Sequence, residues 1–369
     1  MDGEYLAAAL SLLGLRRAGS SSLGRLLEAS PDPIRALQLP RARLESMGLH
    51  PETIIAHAAL RGRSTPEAQR QRDWLLANDI RLITRTSSIY PALLGEIARP
   101  PPFLFLQGNE QAVHRPQVAM VGSRKPTPAG REFAAELAAG LARYGLGITS
   151  GLARGIDTAA HWGALAQGGS AVAVMGTGPD RIYPVSNRDL ASRLLESGGA
   201  LLTEYPPGTP PDAGHFPQRN RIISGLSLGV VVVEAALPSG SLLTATHAAE
   251  QGREVMAVPG PVRSPTSRGC HELLRNGAAL VESPEDVIRA LGDRFKPEPM
   301  PVPPLARAAV PDPGPQLRRV FDATSAMPCS VDVLVMRTGL GVPEVSAAIV
   351  QLELAGLIEN TAAGVARLR

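Results

Sequence analysis

Short apolar runs that end in Gly- or Ser-rich turns alternate with helical segments through the middle of this 369-residue chain. The run Val118–Val121, for example, is followed by a glycine and a serine. A helix is predicted from Pro128, because proline suits a first helical turn. Strands and helices that alternate through short links predict an α/β fold with a doubly wound parallel sheet. The other predicted strands of this sheet are Gly147–Thr149, Ala171–Met175, Ala200–Thr203, Val230–Glu234 and Glu254–Gly260.

Ligands bind such sheets at the carboxyl ends of the strands, and all of these turns fall at that edge. The turn Gly122-Ser123-Arg124-Lys125 offers backbone amides, a hydroxyl and cations beside a helix start, which predicts an anion site. It matches neither a Walker loop nor a dinucleotide-binding fingerprint, so ATP hydrolysis is not expected. A second candidate phosphate loop follows the next strand and contains Ser150, Gly151 and Gly155.

The segment after the fourth of these strands carries an aromatic residue among basic and amide side chains. Phe216 lies in a Pro-rich loop, where an exposed ring can stack on a base, a contact worth about 1–3 kcal/mol. We expect its neighbours to contact phosphate or bases, although one arginine could belong to a structural ion pair. These neighbours are Gln218, Arg219, Asn220 and Arg221.

A further turn, Ser239-Gly240-Ser241, precedes a predicted helix and completes the candidate binding edge. Four carboxylates lie near strand ends, but no Ser-His-Asp set or metal cluster accompanies them. We therefore interpret Asp180, Glu204 and Glu234 as ionic partners of Arg124, Arg219 and Arg221 rather than as catalytic acids. Asp157 could belong to a phosphate loop, cap the next helix or hold Arg154.

The sequence on either side of this core, which we place at 64–295, predicts two smaller modules. Residues 1–63 carry leucines at helical spacing, interrupted by glycine and proline, and predict a helical module. Its turn at Gly14–Gly19 is compatible with a helix–hairpin–helix contact to DNA or with a protein interaction. Residues 296–315 are rich in Pro, Ala and Val without periodicity, which predicts an extended linker.

Residues 316–369 predict three helices and a two-stranded wing, with strands Leu357–Glu359 and Val365–Leu368 turning at Ala363-Gly364. This winged-helix arrangement often binds duplex DNA but also serves protein partners. The helix in the recognition position, Pro343–Ala355, contains no Arg or Lys, which favours a protein partner.

Composition limits the remaining classes. Cys270 and Cys329 lie far apart without metal-type spacing, so we expect free thiols in a reducing cytosol and no metal or cofactor. No apolar run approaches the roughly 18 residues that span a membrane, and the acidic start Met1–Glu4 does not resemble a secretory signal. A net charge of +3 permits nucleic-acid binding without arguing for it.

Seven short strings of the sequence together resemble the bacterial DNA-processing protein A family, also called DprA or Smf. They span about residues 118–291, and the flanking modules resemble the sterile-alpha-motif-like module and the winged helix that many members carry. The strings are Gly122-Ser123-Arg124, Ser150–Asp157, Tyr183-Pro184, Glu204–Gly208, Phe216–Ile223, Ser239-Gly240-Ser241 and Glu254–Gly260.

The resemblance implies an extended Rossmann fold that binds single-stranded DNA without catalysis and forms a homodimer. It also implies protection of incoming DNA and loading of the RecA recombinase during natural transformation. Further partners through the winged helix would be single-stranded DNA-binding protein or duplex DNA. Some members carry a basic residue just before the Phe, whereas Asp212–His215 stand there in this chain, which gives more weight to Arg124, Arg219 and Arg221.

We expect the homodimer to form through Cys270–Leu291, where His271, Leu274 and Leu280 make a largely apolar set, although core packing would explain the same residues. Two rival functions stay open: a nucleotide phosphoribohydrolase-like enzyme, and a scaffold that acts through its flanking modules. The Pro-Gly-Gly-x-Gly-Thr loop of the related hydrolases is absent, and Ser239–Thr244 stands in its place. We expect the core to prefer single-stranded to duplex DNA. Its aromatic ring and arginines belong to a groove at one edge of the sheet rather than to a basic recognition helix.

Overall fold

The structure is a computed structural model that describes residues 3–297, 315–325, 328–354, 357–361 and 364–367. It divides into two compact units, Met1–Met300 and Pro301–Arg369. The predicted boundary between residues 63 and 64 lies inside the first unit and stays a prediction. The predicted linker, 296–315, lies almost wholly outside the described residues.

Six helices begin the first unit, and their apolar residues share one core with two strands of the sheet. Leu6 and Leu26, at the helical spacing that the sequence indicates, are buried in the same cluster as Phe103 and Phe105 of the second strand. The last of the six helices is capped by Thr65, whose hydroxyl accepts a hydrogen bond from the Ala68 amide. The helices are α1 (Gly3–Leu13), α2 (Ser20–Ala29), α3 (Pro33–Ala36), α4 (Arg41–Ser46), α5 (Pro51–Leu60) and α6 (Pro66–Ala77).

The rest of the first unit alternates strands and helices, as predicted. The final long strand ends at Ala257 rather than at the predicted Gly260, since Pro259 has no N–H to donate to a strand ladder. The elements are β1 (Ile80–Thr84), α7 (Ala92–Gly95), β2 (Phe103–Gly108), β3 (Gln117–Val121), α8 (Pro128–Arg143), β4 (Gly147–Ser150), α9 (Ile156–Ala166), β5 (Ala171–Val174), α10 (Arg188–Glu196), β6 (Ala200–Thr203), α11 (His215–Gly225), β7 (Gly229–Val232), α12 (Gly240–Glu250), β8 (Glu254–Ala257), α13 (Arg268–Arg275), β9 (Ala279–Leu280) and α14 (Pro284–Leu291).

These nine strands form one sheet in the order β1-β2-β6-β5-β4-β3-β7-β8-β9. β2 pairs antiparallel with both β1 and β6, and every other neighbouring pair is parallel. The connections after β3 run outward through β4, β5 and β6, and the chain then returns to place β7 on the other side of β3. This reversal creates a crevice at the carboxyl ends of β3 and β7, where doubly wound sheets bind their ligands.

Helices cover both faces of the sheet. Because successive strand residues point to opposite faces, each strand buries side chains against both layers of helices. Val118 and Met120 of β3 are buried with α8, α9, α10 and α14. Ala119 and Val121 are buried on the other face, with α7, α11, α12 and α13. The structure thereby confirms the predicted α/β class with a doubly wound, mostly parallel sheet.

The second unit has the predicted elements of a winged helix. Its helices are α15 (Pro315–Ala323), α16 (Val331–Thr338) and α17 (Val342–Leu354), and its wing pairs β10 (Ile358–Thr361) antiparallel with β11 (Gly364–Arg367). The helices and wing share a buried core that includes Val320, Leu334, Ile349 and Val365. Ala363 and Leu368, which we expected at the turn and the last strand, lie outside the described residues.

No single helix in the described ranges is long and apolar enough to cross a membrane. The pair Val331–Thr338 and Val342–Glu353 meets the length and hydropathy criteria together, but it is bent by 109°.

Candidate functional site

Two adjoining cavities lie at the carboxyl ends of β3, β4, β5 and β7. The larger has a volume of about 730 Å³ and includes the turns after β3 and β7 and the start of α11. The smaller, of about 280 Å³, lies beside the turns after β3 and β4. Among the predicted site residues, Gly122, Ser123, Arg124, Phe216, Arg219, Asn220, Ser239, Gly240 and Ser241 line the larger cavity, and Arg124, Lys125, Gly151, Phe216 and Arg219 line the smaller.

Arg124 and Phe216 meet where the two cavities adjoin. The Arg124 side chain is exposed, and its Cζ lies 5.7 Å from the centre of the Phe216 ring, within the range of a cation–π contact. No carboxylate pairs with Arg124 among the residues that the structure describes. An exposed cation beside a ring, without an ionic partner, leaves its charge available to an external anion.

Phe216 is positioned by the first turn of α11 and by a glycine beneath it. A Cβ at Gly176, just after β5, would lie 2.9 Å from Phe216 Cδ1, so only glycine lets the ring lie against this turn. The ring is half-buried, and the Tyr183 ring lies 5.5 Å away at an angle of 35°. Phe216 therefore has a supported inner face, while part of its surface is open to the cavities.

Arg219 lies at the floor of both cavities, where it supports the protein's own backbone. Its side chain is 4% exposed, and Nη1 donates to the carbonyls of Gly151, at 2.5 Å, and Val174. Burial lowers its pKa to about 10, partly offset by the nearby Asp157, so it stays charged at neutral pH. The expected phosphate contact by Arg219 stays a prediction, and its observed contacts hold the turn after β4 in place.

Arg221 is directed away from both cavities, contrary to the expectation that it approaches them beside Arg219. Its Nη2 donates to Glu204 Oε2 at 2.6 Å, and the two side chains are 11% and 9% exposed. The physical reason is helical geometry, since residues two apart on a helix do not share a face. The predicted pairing of Glu204 with one of these arginines is confirmed.

Glu234 was expected to pair with an arginine, and this expectation is wrong. Its carboxylate accepts hydrogen bonds from the Thr127 amide, at 3.0 Å, and from the Thr127 hydroxyl at the start of α8, at 2.5 Å. Its backbone carbonyl accepts the Ser123 amide at 2.7 Å. The start of α8 and the Ser123 amide, which we expected to attract an external anion, therefore already have an internal partner.

The other two carboxylates also have structural contacts. Asp180 accepts the Gly208 amide at 2.8 Å and pairs with Arg181 at 3.2 Å, so the expected pairing with the site arginines is wrong here as well. Asp157 accepts the amides of Gly151 and Ala153, and burial raises its pKa while Arg219 opposes that rise. Asp157 therefore has a structural contact, but not one of the two that we expected: no side chain caps α9, and no ion pair joins Asp157 to Arg154 among the described residues.

Four predicted binding residues line neither cavity. Ser150 is fully buried and donates its hydroxyl to the Met120 carbonyl at 2.6 Å. Gly155 has a φ of +83° and packs against the turn after β3, and the exposed Gln218 accepts from the Tyr205 hydroxyl at 3.3 Å. Together with Arg221, these residues shape or flank the site without facing its cavities.

Tyr183 and Arg154 are among the lining residues that sequence reasoning did not predict for the site. Tyr183 is 47% exposed and lines both cavities, and Arg154 is exposed and lines the smaller one. Both belong to strings that carried the family resemblance, but neither string indicates that the side chains converge on Phe216. Their signal lies in the order of the strands, which places the end of β4 beside β3 and the end of β5 beside β4.

The proposed dimer residues lie near β9, the outermost strand on one side of the sheet. Leu280 belongs to the edge strand β9 and is 49% exposed. Leu274 is half-buried against the core, and His271 Nε2 lies 3.0 Å from the Gly260 carbonyl oxygen. Within the described ranges, no group of three or more His, Cys, Asp or Glu side chains has the geometry of a metal site.

Two family models match the chain. The model for DNA recombination-mediator protein A matches residues 81–292, and the DprA winged helix domain matches residues 303–364. Protein Smf of Escherichia coli K12 is 45% identical over 303 residues, covering 80% of this chain and 79% of that protein. The DNA processing protein DprA of Streptococcus pneumoniae R6 is 47% identical over 199 residues, covering 54% of this chain and 70% of that protein.

Two solved structures are similar as well. The crystal structure of DNA processing protein A from Streptococcus pneumoniae has a TM-score of 0.65 at 34% identity and covers 78% of this chain and 98% of that one. The structure of the Helicobacter pylori protein, described for its single-stranded DNA binding mode, has a TM-score of 0.53 at 28% identity and covers 59% of this chain and 97% of that one.

Proposed function

The chain belongs to the DNA recombination-mediator protein A family, and from this premise we propose that it binds single-stranded DNA in the two cavities at the carboxyl edge of its sheet. The observation that carries this proposal is the exposed Arg124, which has no ionic partner in the described part of the chain and lies 5.7 Å from the partly open ring of Phe216. A cation and a ring side by side match the phosphate and the base of one nucleotide.

The start of α12, which also lines the larger cavity, supports the same proposal. Ser239, Gly240 and Ser241 line the cavity at the first turn of this helix, where the helix dipole favours negative charge. Asn220 Nδ2 donates to the Gly240 carbonyl at 3.2 Å, which ties this wall to α11 and therefore to Phe216. A phosphate between Arg124 and α12 would be attracted from both sides.

The protein is proposed to act on the strand without catalysing a reaction. Of the two carboxylates that line the larger cavity, Asp157 accepts two backbone amides, and Asp212 accepts the Gly214 amide at 2.7 Å. Among the described residues, neither carboxylate is hydrogen-bonded to a His, Lys or Tyr side chain that would pair with it as a general acid or base. A mixture with AMP should therefore give no product, whereas a phosphoribohydrolase would release the base.

Protection of incoming DNA, delivery of the strand to RecA and homodimerisation through Leu274, Leu280 and His271 are part of the proposal, because the family resemblance implies them. The boundaries at residues 63, 295 and 315 are proposed with them. For the winged helix we propose a protein partner, since α17 contains no Arg or Lys. Single-stranded DNA-binding protein is a candidate partner, and duplex DNA binding by this unit is the alternative.

Fluorescence anisotropy with labelled oligo(dT) at several salt concentrations tests the binding site. Arg124→Ala should weaken binding and reduce the slope of log affinity against log salt by about 0.7, the value for one phosphate contact on a single strand. Phe216→Ala should weaken binding by about 1–3 kcal/mol with an unchanged slope, because stacking releases no counterion. Unlabelled duplex should compete less well than unlabelled single strand.

Arg124→Ala should keep the melting temperature of the wild type, because the Arg124 side chain is exposed. Phe216→Ala removes a half-buried ring that lies against Gly176 and Tyr183, so it should lower the melting temperature modestly while the protein stays folded. If Arg124→Ala leaves both the affinity and the slope intact, the strand binds elsewhere. Equal competition by duplex would contradict the preference for single strands.

A further inference from the structure

We propose that the smaller cavity is a second nucleotide subsite, in which Arg154 and Lys125 bind the phosphate next to the one held by Arg124 and Tyr183 extends the stacking surface. The inference rests on the proposed single-strand function and adds two residues, Arg154 and Tyr183, to its binding surface.

The first support is the charge of this cavity. Arg124, Lys125 and Arg154 are exposed there, and none of them has an ionic partner among the described residues. No carboxylate lines the smaller cavity, whereas Asp157 and Asp212 line the larger one. Three like charges without a counterion repel one another, and a bound polyanion removes that repulsion.

The second support is the close contact that holds these cations together. The Ile156 amide donates to the Ser123 carbonyl at 3.1 Å, which joins the turn after β4 to the turn after β3. A Cβ at Gly155 would overlap Ser123 and would lie 2.8 Å from both Arg124 C and Pro126 Cδ. The two backbones therefore meet closely at this glycine, and the turns present Arg154 beside Arg124 and Lys125 in a fixed arrangement.

The third support is the pair of rings shared by the two cavities. Tyr183 and Phe216 line both, and their centroids are 5.5 Å apart at 35°. A base does not fit between rings that already touch, so successive bases would stack on their outer surfaces. Arg124 also lines both cavities. In this arrangement its guanidinium would lie near the phosphates of two neighbouring nucleotides.

The volume fits a single further nucleotide. Ligand pockets usually measure about 300–1,000 Å³, and the smaller cavity, at about 280 Å³, lies just below this range. The larger cavity, at about 730 Å³, has room for more than one such unit. The two cavities together would hold a short run of consecutive nucleotides.

The subsite predicts that its residues matter only for strands long enough to reach it. The experiment compares full-length wild type with Arg154→Ala, Lys125→Ala and Tyr183→Ala on oligo(dT) from about 4 to 16 nucleotides, the usual range of single-strand site sizes. On the longer strands, Arg154→Ala and Lys125→Ala should each lower the salt slope, by at most about 0.7, because the two cations share one phosphate. Tyr183→Ala should weaken binding about 5- to 100-fold at an unchanged slope.

On the shortest oligonucleotide that the wild type still binds, all three variants should match the wild type. Tyr183→Phe should behave as wild type at every length, because the stacking ring is retained. Arg115→Ala is the matched control for charge: its side chain is exposed and has no ionic partner among the described residues, it precedes β3 at the amino end of the sheet, and it lines neither cavity. This variant removes one positive charge and should leave the slope unchanged. Arg154→Gln repeats the test with a longer neutral side chain.

The subsite is wrong if Arg154→Ala, Lys125→Ala and Tyr183→Ala bind every length like the wild type while Arg124→Ala and Phe216→Ala are weakened. That outcome would leave the proposed function standing. Equal losses at all lengths would show one continuous site without a separate second subsite. No binding of oligo(dT) by the wild type would overturn the proposed function and the subsite together.

Discussion

Removing the Arg221 guanidinium should destabilise the fold and leave single-strand binding intact, the reverse of the result expected for Arg124. The two arginines look equivalent in the sequence, since both lie in strings typical of the family. In the structure Arg221 pairs with Glu204 at 2.6 Å, with side chains 11% and 9% exposed, whereas Arg124 is exposed and unpaired among the described residues. Arg221→Ala would leave the Glu204 carboxylate buried without its cation.

The expected cost follows from that burial. Removing one partner of a buried ion pair usually costs about 3–5 kcal/mol, because the other charge stays in a poor solvent without compensation. For a unit of this size, such a loss lowers the melting temperature by roughly 6–20 °C. Arg124→Ala should change the stability by no more than about 0.5 kcal/mol, the usual range for surface substitutions.

Urea unfolding followed by circular dichroism measures both variants, and anisotropy with oligo(dT) measures binding below the unfolding transition. The double variant Arg221→Met/Glu204→Leu should recover most of the stability, since replacing both members of a buried pair with apolar residues is often neutral or stabilising. Wild-type stability of Arg221→Ala combined with weakened binding would refute the reasoning, because Arg221 would then face the strand as the sequence suggested.

Two further predictions concern other parts of the first unit. His161 is fully buried, and burial lowers its pKa from 6.5 to about 3, so only the unfolded chain takes up a proton as the pH falls through this window. The free energy of unfolding should therefore drop by about 2 kcal/mol from neutral pH to pH 5 in urea titrations. The part of this drop that is due to the histidine should vanish in His161→Leu. An unchanged pH dependence in that variant would show that another group causes the drop. Leu280→Glu, on the exposed edge strand, should give monomers in light scattering, and an unchanged mass would reject the proposed interface.

The fold was predictable because its signals are local. Each buried strand is a short apolar run with a Gly- or Ser-rich turn after it, and the parallel arrangement follows from the alternation with helices. The position of the site followed as well, since the carboxyl ends of parallel strands lie at one edge. Arg124 and Phe216 could be named from these two rules, and the structure places their side chains 5.7 Å apart.

The contacts of the charged residues were not predictable in the same way, because their partners come from distant parts of the chain. Arg219 donates to Gly151 and Val174, which end other strands. Glu234 reaches the start of α8, 107 residues earlier, and satisfies the helix end that we had assigned to a ligand. The periodicity of the sequence indicates which residues are buried, but it does not indicate which donors meet which acceptors.

The internal contacts of these charged residues explain which cations remain available to a DNA strand. At the carboxyl edge, the protein itself uses the two buried arginines: Arg219 donates to backbone carbonyls, and Arg221 pairs with Glu204. Arg124, Lys125 and Arg154 lie on turns that are held by backbone contacts, such as the Ile156 amide on the Ser123 carbonyl, so these side chains are not needed to position the turns. A cation that the fold does not use can bind phosphate without a loss of stability, and this is why binding and stability should separate cleanly between Arg124 and Arg221.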